Sequence, residues 1–71
     1  MTPEEIQKVQ SYLQKKFDLQ TLTLRARKVG DSVEVLLNGE FIGVIYKDED
    51  EGEVSYDFNM AILSMDLDEV A

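Results

Sequence analysis

The chain has 71 residues, of which 44% are hydrophobic, and it has no cysteine, no histidine and a formal net charge of −8. A chain of this length supports one hydrophobic core, so we expect a single domain over residues 1–71. Disulfide bonds are excluded, and zinc or haem would have to be held by carboxylates alone. Because so small a domain is marginally stable, self-association is the expected source of further stability.

The negative charge is concentrated in the last third of the chain. Residues 1–46 contain six basic and six acidic side chains, whereas residues 47–71 contain one basic and nine acidic side chains. The N-terminal residues do not resemble a signal peptide, and no apolar run approaches the roughly 18 residues of a membrane span. We therefore expect a cytoplasmic protein with no membrane partner, whose acidic region faces a basic partner.

The first predicted element is an amphipathic helix over residues 3–17. Thr2, Pro3 and Glu5 have the order of an N-cap, a first-turn proline and a capping-box partner. The polar residues of the helix, Gln10 and Gln14 included, are assigned to solvent. Apolar side chains recur at the helical spacings of three and four, at Ile6, Val9, Leu13 and Phe17.

Alternating apolar residues then predict four strands, over residues 21–27, 32–37, 40–46 and 53–60. Asn38-Gly39 is typical of a two-residue hairpin turn, and Gly30-Asp31 is interpreted in the same way. Residues 47–52 are predicted to be a polar turn. Residues 61–67 are interpreted as a continued or fifth strand, with a short helix capped by Asn59 left open. The predicted fold class is α+β, with the N-terminal helix on one face of a mostly antiparallel sheet of four to five strands in the order 1-2-3-4.

The hairpin registers predict which side chains share a face of the sheet. Gly43 is interpreted as a bulge or a close backbone approach. The face beneath the helix is predicted to carry Leu24, Ala26, Val33, Val35, Leu37, Ile42, Val44 and Tyr46. The opposite face is predicted to carry Thr23, Arg25, Arg27, Glu34, Leu36, Phe41, Gly43 and Ile45, with Arg27 across from Glu34.

Leu36, Phe41 and Ile45 form an apolar cluster on the predicted open face. Since one helix covers only one face of a sheet, such a cluster indicates an interaction site. Three explanations stay open. The favoured one is a homodimer interface, and the others are a groove for a partner or ligand and cover by the chain's own C-terminal segment, through Leu63, Met65 and Leu67.

Two further clusters suggest alternative ligands. Asp48, Asp50 and Glu53 are weak candidates for a divalent cation, but an EF-hand counted from Asp48 would place Asn59 where a bidentate glutamate is needed. A solvated hairpin tip explains these acids better, so no metal or cofactor is expected. Arg25 and Arg27, with Lys28 and Phe41, could contact nucleic acid, which the net charge of −8 disfavours.

Catalysis is not expected. With no histidine or cysteine, a nucleophile would have to come from serine, lysine, tyrosine or a carboxylate, and no serine lies in a nucleophile signature. We expect a non-enzymatic protein-interaction module that dimerises through Leu36, Phe41 and Ile45 or through its C-terminal edge. The alternative is a protein that binds nucleic acid or a divalent metal.

The segment NGEFIGVIYKDEDEGEVSYDFNMAILSMDL and the helix EEIQKVQSYL resemble a small bacterial family, the domain of unknown function 3126 family. The resemblance extends over the whole chain. It implies a short, cysteine-poor, stand-alone protein, and it implies no activity, cofactor or site residue.

Overall fold

A computed structural model describes residues 1–70 of the chain. The strands are in the order β1-β2-β3-β4 and all neighbours are antiparallel, so the predicted α+β class and strand order are confirmed. The elements are α1 (Pro3–Phe17), β1 (Leu22–Ala26), β2 (Ser32–Leu37), β3 (Glu40–Asp50), β4 (Glu53–Asn59) and α2 (Ser64–Val70).

Helix α1 begins with the predicted capping box. The Glu5 amide donates to Thr2 Oγ1 at 3.1 Å, and the Thr2 amide donates to Glu5 Oε1 at 3.0 Å. These two bonds satisfy backbone donors that a helix start otherwise leaves unpaired. The helix ends at Asp18, whose backbone is left-handed with φ 54°.

Two glutamines fasten α1 to the free edge of β1, which corrects their assignment to solvent. Gln10 Oε1 accepts from the Leu24 amide at 2.9 Å, and Gln14 Nε2 donates to the Leu22 carbonyl at 2.8 Å. Both backbone groups belong to an edge strand, where they would otherwise be open to pairing with another chain. As a result α1 lies nearest β1, at one side of the sheet.

The predicted two-residue turn at Gly30-Asp31 is wrong. Leu24 pairs with Val35 and Ala26 with Val33, so a five-residue loop, residues 27–31, joins β1 to β2. Ser32 Oγ closes this loop by donating to the Val29 carbonyl at 2.7 Å. The observed pairing of β1 with β2 is shifted by two residues from the predicted register. This shift leaves each side chain on its predicted face but changes its partner, so Glu34 pairs with Arg25 rather than with Arg27.

A bulge in β3 reverses the two faces of the sheet from that point onward. The Asn38-Gly39 turn is confirmed, and Leu36 pairs with Phe41, but Val35 then pairs with Gly43. Ile42 is thus the extra residue. Ile45 consequently lies beneath α1 and is only 1% exposed, whereas Tyr46 is 48% exposed on the far side. The predictions that placed Ile45 outside, and Val44 and Tyr46 inside, are wrong for this reason.

Gly43 also allows the last strand to pack closely. A Cβ at this position would lie 2.5 Å from the Asn59 carbonyl oxygen and 2.7 Å from the Phe58 ring. Both the bulge and the close approach suggested by this glycine are therefore present. The core beneath α1 consists of Leu13, Leu22, Val33, Val35 and Ile45, with Met1, Ile6, Val9, Leu24, Leu37, Ile42 and Phe58 packed around it.

Two other predicted boundaries need correction. Strand β3 continues to Asp50, because residues 47–50 pair with β4, and the turn is only Glu51-Gly52, both with positive φ. Residues 64–70 form α2 instead of a fifth strand. The start of α2 is fixed by Asp66, whose carboxylate accepts from the Leu63 amide at 3.0 Å.

The reversal of faces is tested by truncating two adjacent residues of β3. Ile45→Ala should lower the free energy of unfolding by about 2–5 kcal/mol, because it leaves a cavity in the core. Tyr46→Ala should lower it by about 1 kcal/mol or less. Urea denaturation at one fixed protein concentration measures both, and a larger loss for Tyr46→Ala would contradict the register.

Candidate functional site

The first candidate site is on the outer face, by which we mean the side of the sheet opposite α1. A groove of about 710 Å³ lies there. One wall comes from β3, through Phe41, Val44 and Tyr46, and the other from residues 60–63. We call this the outer-face groove, and residues 60–70 the C-terminal arm.

The C-terminal arm exposes an unusual amount of apolar surface. Each of six side chains is more than half exposed: Met60, Ile62, Leu63, Met65, Leu67 and Val70. Helix α2 has only seven residues, fewer than an isolated helix needs to be stable in water. Its charged side chains are all acidic, at Asp66, Asp68 and Glu69. Within residues 1–70, the arm therefore lacks the packing that would stabilise it.

The predicted apolar cluster is not assembled as expected. Leu36 lies on the outer face but is only 9% exposed, Phe41 is 53% exposed, and Ile45 lies in the core. Tyr46 takes the place expected for Ile45, and the arm adds residues that the periodicity did not indicate. The cover predicted from Leu63, Met65 and Leu67 is partial: of these three, only Leu63 lines the outer-face groove.

The charged candidates are also placed by the structure. Arg25 is exposed and its Nε bonds to Glu34 Oε1 at 2.9 Å, while Arg27 lies in the loop after β1. Asp50 pairs directly with Glu53 at the tip of the β3–β4 hairpin, and the strand period places Asp48 on the same face. Within residues 1–70, no three acidic side chains are arranged to hold a metal ion.

A second groove lies on the other side of the sheet, between α1 and β4, and we call it the α1–β4 groove. Its volume is about 460 Å³. It exists because Gln10 and Gln14 hold α1 near β1, leaving part of β4 uncovered. Two charged side chains, Glu5 and Lys8, line this groove. The rest of its lining is apolar or aromatic and consists of Val9, Tyr12, Leu13, Ile45, Tyr56 and Phe58.

A polar network at one end of this groove joins the start of α1 to the β3–β4 hairpin. Glu5 Oε2 accepts from Lys47 Nζ and from the Tyr56 hydroxyl, each at 2.7 Å. Lys47 Nζ also lies 3.2 Å from Glu49 Oε1. Lys47 and Tyr56 are neighbours on adjacent strands, so one carboxylate bonds to both strands at once.

The network shifts the titration of all three groups. The hydrogen bonds that Glu5 accepts lower its pKa from 4.5 to about 2. The bond from Lys47 has the largest effect, followed by those from the Thr2 amide and the Tyr56 hydroxyl. The bond to Glu5 is the main cause that raises the pKa of Lys47, and Glu49 adds to it. The same carboxylate raises the pKa of Tyr56, because it favours the protonated hydroxyl that donates to it. With both oxygens bonded, Glu5 acts as an anchor between helix and hairpin.

Residues 5–66 match a family model described as protein of unknown function (DUF3126). The chain belongs to the DUF3126 family. The matched residues include Glu5, Lys47 and Tyr56 of the network, and they end within α2. No curated protein and no solved structure matches the chain. In residues 1–70 of this DUF3126 protein, no helix is long and apolar enough to cross a membrane.

The anchoring role of Glu5 predicts a specific pH dependence for this DUF3126 protein. Because the pKa of Glu5 is lowered on folding, its charge stabilises the fold fully above about pH 4.5, and this contribution is lost as the pH falls toward 2. Glu5→Gln removes the charge and keeps a residue that suits the capping box. We expect the difference in unfolding free energy between wild type and Glu5→Gln to shrink between pH 4.5 and 2.

Glu4→Gln is the matched control, since it removes one carboxylate from the same helix turn without touching the network. Urea unfolding followed by circular dichroism at several pH values measures all three proteins. If the gap between wild type and Glu5→Gln is as small as that for Glu4→Gln at neutral pH, Glu5 is not an anchor.

Proposed function

We propose that this DUF3126 protein is a non-enzymatic interaction module that forms a homodimer through its C-terminal arm and the adjoining outer face. The observation that carries the proposal is the set of six apolar side chains that residues 60–70 expose. Exposed apolar surface of this extent on a small domain is typical of a binding interface. A second copy would supply the packing that α2 lacks.

The shape of the chain supports the same proposal. Its radius of gyration is 13.4 Å, against about 11 Å expected for a compact chain of this length. It measures 44 × 23 × 22 Å. An elongated domain buries less of its own surface, so association recovers hydrophobic stabilisation that one copy alone lacks.

The outer face contributes through residues that the bulge in β3 turns outward. Phe41 and Tyr46 are each about half exposed there, beside the exposed side chains of Met60 and Ile62. Aromatic side chains of this kind are enriched at the centres of protein interfaces. Leu36 supports Phe41 from the neighbouring strand, and Ile45 has no place in this proposal because it is buried in the core.

A basic protein partner for the acidic hairpin tip is the second candidate. Asp48, Asp50 and Glu53 share the outer side of that tip, so they present a single negative surface.

Nucleic acid is disfavoured because the net charge of −8 repels a polyanion. The cysteine-free composition is compatible with the reducing cytoplasm, where we place the protein.

Sedimentation equilibrium over micromolar concentrations tests the proposal, which predicts a monomer–dimer equilibrium. Leu67→Glu, in α2, should raise the dimer Kd by about tenfold or more, because it places a charge in the apolar interface. Phe41→Glu should raise it as well. Circular dichroism should show both variants folded, because neither residue belongs to the core.

Val29→Glu is the matched control. Val29 is also an exposed apolar residue, but it lies in the β1–β2 loop, away from the arm. Its substitution adds the same charge and should leave the Kd unchanged apart from a small effect of net charge. A wild-type protein that stays monomeric at all these concentrations would overturn the proposal.

A further inference from the structure

The α1–β4 groove is an apolar site that residues 1–70 of the same chain leave open. Its lining includes the buried Leu13 and Ile45, the half-buried Phe58 and the exposed Tyr12 and Tyr56. Tyr12 is among the most exposed large side chains of α1, although it faces this apolar surface. The groove lies beside α1, and an apolar groove of this kind can accept an amphipathic helix.

Helix α2 has the sequence pattern that such a groove accepts. Leu67 and Val70 are spaced i and i+3 within α2, so they lie along one side of the helix. Both are more than half exposed in their own chain. A short amphipathic helix that places its apolar side in an apolar groove is a recurring mode of recognition.

The charges of the two surfaces are complementary. Helix α2 has three acidic and no basic side chains, whereas the groove side of α1 carries Lys8 and, two turns further on, Lys16. Glu5 also lines the groove, but its charge is paired with Lys47. Lys16 Nζ lies 5.8 Å from the centre of the Tyr12 ring, which places it beside the groove. Two copies of net charge −8 repel one another elsewhere, so this lysine-bearing edge of α1 favours an acidic helix.

The chain's own α2 starts from the wrong side of the sheet to fill this groove. Residues 60–63 line the outer-face groove, so α2 begins on the side of the sheet opposite α1. We infer that α2 of a second copy binds in the α1–β4 groove, with Leu67 and Val70 against its apolar lining. This inference rests on the proposed dimer. When each copy places its α2 in the groove of the other, the result is a closed, two-fold symmetric dimer. We call this arrangement the exchange.

Charge reversal in two separate chains tests the exchange. A groove variant, Lys8→Glu/Lys16→Glu, and an arm variant, Asp68→Lys/Glu69→Lys, should each dimerise at least about tenfold more weakly than wild type. Asp66 is left intact because it caps α2. Mixed in equal amounts, the two variants should form a heterodimer close to wild-type affinity, because each groove then meets a helix of opposite charge.

The matched control is Arg27→Glu/Lys28→Glu, which makes the same change in net charge in the loop after β1. On its own it should dimerise nearly as tightly as wild type. Its heterodimer with the arm variant should be weaker than that of the groove variant, because its unchanged basic groove meets a helix of like charge. Sedimentation equilibrium of single and mixed samples measures each Kd. Restoration by the control as well as by the groove variant would mean that overall charge, and not the groove, governs association, and would overturn the inference.

Crosslinking gives a second, independent measurement because the chain contains no cysteine. A Tyr12→Cys chain mixed with a Leu67→Cys chain should form more mixed disulfide than either forms with itself or with a Val29→Cys chain. If the wild type dimerises while neither restoration nor the mixed disulfide is seen, the groove assignment fails and the dimer stands. A wild type that does not dimerise removes both proposals.

Discussion

The bulge at Ile42 in strand β3 is the feature on which the rest of the structure depends. Because two residues of β3 occupy the place opposite one residue of β2, every side chain beyond the bulge changes face. Ile45 thereby completes the core with Val33 and Val35, and the small Gly43 leaves room for the Phe58 ring. The same reversal turns Lys47 and Tyr56 toward α1, where Glu5 binds both of them. Without the bulge, the core would lose Ile45 and the start of α1 would lose its anchor.

The position of α1 explains why the domain has two grooves. One helix cannot cover a four-stranded sheet, and Gln10 and Gln14 fix it over the free edge of β1. That arrangement protects one sheet edge from pairing and leaves space beside β4 at the other. On the outer face, residues 60–63 cover part of β3, and α2 then extends without burying its apolar side chains. Surface left open at both places is the physical basis of the proposed dimer, since so small a core gains stability from a partner.

The sequence predicts those parts of the fold that local chemistry determines. The capping box of Thr2 and Glu5 locates α1, and Asn38-Gly39 locates a hairpin, because each pattern specifies a local backbone geometry. Gly43 indicates a bulge or a close approach, but the exchange of faces escapes prediction because residues 41–46 are apolar on both faces, so alternation does not reveal where it occurs. The Glu5–Tyr56 bond joins residues 51 positions apart, and no local pattern reports such a contact. Residues 63–67 are predicted as a strand because Leu63, Met65 and Leu67 alternate with two polar residues, which is the period of a strand.

Amide hydrogen exchange in α2 is the most direct test of whether a second copy stabilises this helix. A seven-residue helix without tertiary packing protects its amides only weakly. Exchange should be measured for the amides of residues 67–70 across a dilution series, with amides of β2 in the core as the reference. If a second copy stabilises α2, protection of α2 increases with protein concentration while protection of β2 changes far less. Protection of α2 that is independent of concentration would contradict this stabilisation, because α2 would then be packed within its own chain or not packed at all.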